Sequence, residues 1–215
     1  MLPFTFNHRG EGLRVLLIGA HCDDIEIGCG GTIMRLLKEF KIKAVKWVVF
    51  TSNALRADEA RKCADVFLQG NVSKEVVVHD LRDGHLPFVG VKVKEHFEEL
   101  KLFQPDVIFT HARHDRHQDH KTLAEMTWNT FRDHTILEYE IPKYEGDLGH
   151  PNFFITIDAA TAAKKADAII EGYPSQGNKQ WFDKETFLSL LRIRGLESAS
   201  PTRYAEGFYV SKAVL

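Results

Sequence analysis

Four short apolar runs set the pattern of the first half of the chain. Arg14–Ala20 (RVLLIGA), Val45–Thr51 (VKWVVFT), Glu75–Leu81 (EVVVHDL) and Asp106–His111 (DVIFTH) are rich in β-branched and aromatic residues. Such runs, without strict alternation, mark strands buried on both faces. Between them, Thr32–Phe40, Leu55–Leu68 and Val91–Phe103 carry apolar residues three and four positions apart, which is helical spacing. In the second of these, Leu55, Cys63, Val66 and Phe67 are expected to form the buried stripe, with Arg56, Asp58, Glu59 and Arg61 on the polar side. Further helices are predicted over His117–Phe131, Ala160–Glu171 and Lys184–Arg192, and strands near Phe153–Ile157 and over Ala205–Val210. Alternating strands and helices require right-handed crossovers and a parallel sheet covered on both sides. The expected fold is therefore an α/β, Rossmann-like doubly wound domain with a mainly parallel sheet in the order 3-2-1-4-5 and C-terminal additions. No linker or repeat divides residues 1–215, so one domain is expected.

Composition narrows the function classes. With 28 Lys and Arg against 30 Asp and Glu, the formal net charge is −2, which gives no footprint for nucleic acid. The apolar runs fall far short of a roughly 20-residue membrane span. The opening MLPFTFNHRGEG lacks the pattern of a secretory leader, and three cysteines at unrelated spacings suggest no disulfide framework. A cytoplasmic protein is expected. The 11 histidines stand out, because of where they fall.

In a doubly wound sheet, ligands bind beyond the carboxyl ends of the strands, where the strand order reverses. Strand 1 runs directly into His21-Cys22-Asp23-Asp24. Strand 4 ends at His111, followed by His114-Asp115-Arg116-His117-Gln118-Asp119-His120. Two His/Asp-rich loops would face each other across one cleft. Imidazole and carboxylate suit a zinc-class ion, and a catalytic site uses three protein ligands. His21, one carboxylate of the pair and one His of the second loop would supply them, leaving the other Asp as general base. His117 and His120, three apart, share one helical face. A blander reading makes Asp23 or Asp24 a helix cap. Gly28-Cys29-Gly30-Gly31-Thr32 lacks phosphate-loop spacing and reads as close packing of helix on strand. Trp128, Phe131, Trp181 and Phe182 read as core, and Glu138–Tyr144 as a candidate substrate rim. His8, His79, His85, His96, His134 and His150 have no ligand-like spacing.

Ala20–Thr32 together with Asp115–His120 resembles the PIG-L/LmbE-type N-acetylglucosaminyl deacetylases. Weaker matches lie at Arg56–Glu59, Asp83-Gly84, Ser175-Gln176 and Tyr204–Phe208. The resemblance implies that His21, Asp24 and His120 bind zinc, a set that ferrous iron shares. It implies Asp23 as general base, and His117, as a cation, stabilising the tetrahedral intermediate or protonating the amine. It also implies Asp119 orienting His117, and Arg56 and Asp83 contacting the sugar. The implied reaction removes the N-acetyl group from an N-acetylglucosamine-type amino sugar or its conjugate, and a homo-oligomer is compatible with this. Cys22 departs from the family pattern, which has proline there. The rival readings are a metal hydrolase of phosphoesters and a sugar- or nucleotide-binding domain without turnover.

Overall fold

The computed structural model describes residues 5–6, 10–70 and 72–213. His8 and most of the opening segment lie outside them. The elements are β1 (Leu13–Gly19), α1 (Asp24–Glu39), β2 (Ile42–Thr51), α2 (Ala54–Phe67), β3 (Ser73–Leu81), α3 (Gly90–Leu100) and β4 (Val107–His111). They continue with α4 (Gln118–Thr130), β5 (Thr135–Tyr139), β6 (Phe153–Ile157), α5 (Ala159–Gly172), α6 (Lys184–Glu197) and β7 (Tyr204–Tyr209). Seven strands form one sheet in the order β3-β2-β1-β4-β5-β7-β6. The first five pair parallel, while β7 runs antiparallel to both β5 and β6. The 3-2-1-4-5 order is as expected, but its fifth place belongs to Thr135–Tyr139. Phe153–Ile157 is the far edge strand instead.

Alternate residues of the apolar strands serve two cores. Val15, Leu17, Val45, Trp47, Val49, Val107 and Phe109 pack with α1, α2 and α5. Leu16, Ile18, Val48, Phe50 and Ile108 pack with α3 and α4. Burial on both faces explains why these strands are apolar throughout. Phe131 and Phe182 are buried and Trp128 and Trp181 half-buried against these cores, so all four aromatics are core as read.

The departures have local causes. Helix α1 begins at Asp24, eight residues before the predicted start, and runs through the glycines. A β-carbon at Gly28 would stand 2.2 Å from the Tyr139 ring, one at Gly30 2.4 Å from Phe67 and one at Gly31 2.8 Å from Ile157. The glycines thus admit a helix pressed onto its neighbours. At Cys29 the backbone leaves helical values (φ −144°, ψ 16°), which breaks the hydrogen-bond ladder. The Glu206 carboxylate accepts from the freed Gly31 and Thr32 N–H groups, and Lys165 donates to Ile27 O and to Glu206. In α2 the stripe is rotated from expectation: Leu55 is exposed, whereas Glu59 is buried. Glu138, Tyr139, Glu140 and Ile141, expected on a rim, are buried in and just after β5.

Candidate metal and catalytic site

The β1 and β4 ends lie side by side, and α1 and α4 both start at the cleft between them. Asp23 holds the N-cap position of α1 but makes no side-chain cap bond. Asp24 opens the helix and accepts from the His21 N–H through Oδ2 at 2.6 Å. His117 caps α4, its Nδ1 accepting from the Asp119 N–H at 3.3 Å. This puts His120 on the first turn, facing back toward β1.

Three side-chain atoms converge. His21 Nδ1 is 3.0 Å from His120 Nε2 and 3.3 Å from Asp24 Oδ2, which is 3.4 Å from His120 Nε2. A tetrahedral ion with bonds of about 2.0–2.1 Å holds its donors about 3.3–3.4 Å apart, so this triangle fits a zinc-class ion. The other ring nitrogens support the fit. His21 Nε2 meets Asp83 Oδ1 at 2.9 Å and His120 Nδ1 meets Asp115 Oδ2 at 2.9 Å. A carboxylate on the second nitrogen fixes the tautomer and aims the other lone pair at a metal.

Electrostatics follow from burial and crowding. Burial works against the Asp24 charge, but His120, His111 and His21 outweigh it and hold the carboxyl well below its usual range. For His21, burial is outweighed by Asp24 and by bonds to Asp119, Asp24 and Asp83, and its pKa rises. His117 is pushed down by burial, then by His120 and His21. The hydrogen bond to His21 brings Asp83 down to about 2.

Asp23 Oδ1 accepts from Arg56 at 2.9 Å. Arg56 is placed by Asn53, which caps α2, and lies over the Tyr173 ring, 5.7 Å from its centroid. Tyr173 donates to Cys22 O and to Glu26 Oε1. Glu59 next to Arg56 accepts from the Ser175 N–H and hydroxyl, tying α2 to the chain after α5.

All eight expected residues gather here, with another partner than expected for Asp119. Asp119 does not reach His117 with its carboxylate. That group accepts from Gly84 and Leu86 N–H and lies 3.5 Å from His21 Nε2, so it anchors the Asp83 loop. Arg56 and Asp83, expected on substrate, contact Asp23 and His21. Cys22 is buried, its thiol donating to Thr51 O at 3.6 Å, and burial pushes it up to about 12. A thiol held there is turned away from the donor triangle. Sequence reasoning missed Asp115, although it lies in the same run as His120, and Lys143, which donates to Asp115 at 2.9 Å. It also left His111 out of the site, though fully buried His111 lies 3.2 Å from Asp24.

The fold is shared with solved structures of divergent sequence. N,N'-diacetylchitobiose deacetylase from Pyrococcus horikoshii superposes with a TM-score of 0.73 at 22% identity, over 93% of this chain and 84% of that one. The hydratase GalB of Pseudomonas putida, described as acting on 4-carboxy-2-hydroxymuconate, gives 0.74 at 16%, over 94% and 98%. The conserved protein TT1542 from Thermus thermophilus gives 0.72 at 19%, over 94% and 96%. At such identities the likeness is one of fold. Sequence is more specific: residues 16–131, more than half of the chain and including both histidine loops, match PIG-L, described as GlcNAc-PI de-N-acetylase. The chain therefore belongs to the PIG-L family.

Proposed function

We propose that the protein is a metal-dependent hydrolase that removes the N-acetyl group from an N-acetylglucosamine-type amino sugar or conjugate, releasing acetate. The observation that carries this reading is the donor triangle of His21 Nδ1, Asp24 Oδ2 and His120 Nε2, with Asp23 beside it. These three residues would hold the ion, and Asp83 and Asp115 would orient the two imidazoles. When bound, a zinc-class ion supplies Lewis acidity toward water and the amide oxygen. Ferrous iron suits the same donors.

The remaining chemistry belongs to side chains. Asp23, steadied by Arg56, takes the proton of the attacking water and later passes it to the amide nitrogen, so that the amine leaves neutral. His117 is expected to enter neutral rather than as the cation implied by the resemblance, because burial and two neighbouring rings disfavour its charge. Its Nδ1 accepts a backbone N–H, which leaves the proton on Nε2. That N–H is the donor for the negative oxygen of the tetrahedral intermediate, a role a neutral imidazole can fill.

The test is acetate release from a panel of N-acetylglucosamine derivatives by metal-stripped and zinc-loaded protein. Release by the loaded form alone supports the reading. Metal uptake with no acetate from any N-acetyl sugar would overturn it.

A further inference from the structure

His111, the last residue of β4, is fully buried and contacts two of the three ligand-bearing residues, Asp24 and His120, and the residue before the third. Its Nε2 accepts the N–H of Ala20, the residue before His21, at 3.0 Å. The same nitrogen lies 3.2 Å from Asp24 Oδ2. The ring stacks on His120, with centroids 3.9 Å apart and 15° between planes. From behind, the Tyr139 hydroxyl stands 3.3 Å from Nε2. Its other nitrogen, Nδ1, is buried with no hydrogen-bond partner among the described residues. Packing alone does not explain such a residue, because the ring carries a buried acceptor for the Ala20 N–H and keeps a second nitrogen without a partner among those residues, which an apolar side chain would not do.

We propose that His111 is a positioning residue that holds the His120 ring and, through Ala20, the backbone leading into His21 in the donor triangle without binding the metal itself. The proposal rests on the metal-site reading above. Two features set His111 apart from a ligand. Its Nε2 lone pair is taken up by the Ala20 N–H. Imidazole lone pairs also lie in the ring plane, so two nearly parallel stacked rings do not aim at one point. His21 and His120, tilted by 54°, do converge.

X-ray absorption of the zinc-loaded native protein decides the first half: two imidazoles with oxygen donors are expected, and three imidazoles would overturn the proposal. Two variants separate the contacts. His111→Phe keeps a ring against His120 but removes the acceptor for Ala20, and His111→Gln keeps an acceptor but removes the stack. Both are expected to bind zinc with the native absorption spectrum but with affinity about 10–100-fold weaker in chelator competition, as for other residues that orient ligands. Circular dichroism first establishes that each variant is folded at the assay temperature. Native affinity in the folded variants would reduce His111 to a packing residue and overturn the proposal. Should neither fold, the native spectrum still discriminates. A native protein that takes up no metal would overturn the metal-site reading itself, and the proposal with it.

Discussion

Asp23 stands where a helix cap belongs, yet gives its carboxylate to Arg56 and not to a helix N–H. That choice separates a structural carboxylate from one free for chemistry, and it is why the blander capping reading fails here. Asp23→Asn should lower kcat by about 10²–10⁴-fold while bound metal, measured by elemental analysis, stays at the native level. Loss of metal in that variant would make Asp23 a ligand instead. Arg56 gives a second test, because it touches the base and not a ligand atom. Arg56→Ala should depress kcat by about tenfold or more in steady-state assays, an effect of the order of one charged hydrogen bond. A rise in KM alone would return Arg56 to the substrate-binding role implied by the resemblance. At this scale the sequence reveals the residues that share a motif and hides those that meet only through folding. Asp115 and His111 sit inside the second loop's run, but their partners are set by tertiary contacts, and Glu59 reaches Ser175 from 116 positions away.

Among the elements, α1 shows most clearly how local signals mislead. Three glycines and a cysteine within a short run read as close packing of helix on strand with the helix starting only at Thr32, and the structure keeps the close packing but places the run inside the helix. Their lack of side chains admits Tyr139, Phe67 and Ile157, while Glu206 and Lys165 satisfy the backbone at the Cys29 kink. Gly28→Ala should therefore destabilise the fold by about 1–3 kcal/mol in urea unfolding, since the Tyr139 ring must move. Tyr139 also donates to Ile18 O at 2.6 Å, so the shift would reach the end of β1. Glu206→Ala leaves Lys165 charged and buried, and should lower stability by about 3–5 kcal/mol in the same measurement. Strand β5 escaped sequence reading because TILEY is short and its one acidic residue, Glu138, is buried where alternation would leave a polar face exposed.

Across the whole molecule, the apolar runs are enough to read the first four parallel strands and the switch point, because burial on both faces leaves a strong compositional mark. The antiparallel β7 and β6 left a weaker one, and their order could not be read. The C-terminal part nevertheless completes the site: Tyr173 and Ser175 brace the Asp23 side, and Lys165 and Glu206 fix the helix that carries Asp24. Among the described residues, no helix is long and apolar enough to cross a membrane. Stability should also carry a histidine signature away from the site. His79 on β3 lies 3.9 Å, ring to ring, from His96 on α3, and burial followed by the His96 charge lowers it to about 4. An unfolded histidine titrates near about 6.5, so below that pH the unfolded chain binds a proton that the native state refuses. The stabilisation present above about pH 6.5 should be lost progressively as pH falls toward about 4. Unfolding midpoints of His79→Gln should fall less steeply than native across that window; parallel curves would remove His79 from the account.

The central claim is that one ion on His21, Asp24 and His120 runs the hydrolysis with Asp23. Its most direct test is to titrate zinc into stripped protein and follow bound metal and acetate release from the best N-acetyl sugar in the same samples. The account predicts that acetate release rises in proportion to bound zinc and levels off at about one equivalent per chain, the stoichiometry of a three-ligand catalytic site. His120→Ala should stay inactive over the same range. Acetate release that ignores the metal, or that persists undiminished in His120→Ala, would contradict it.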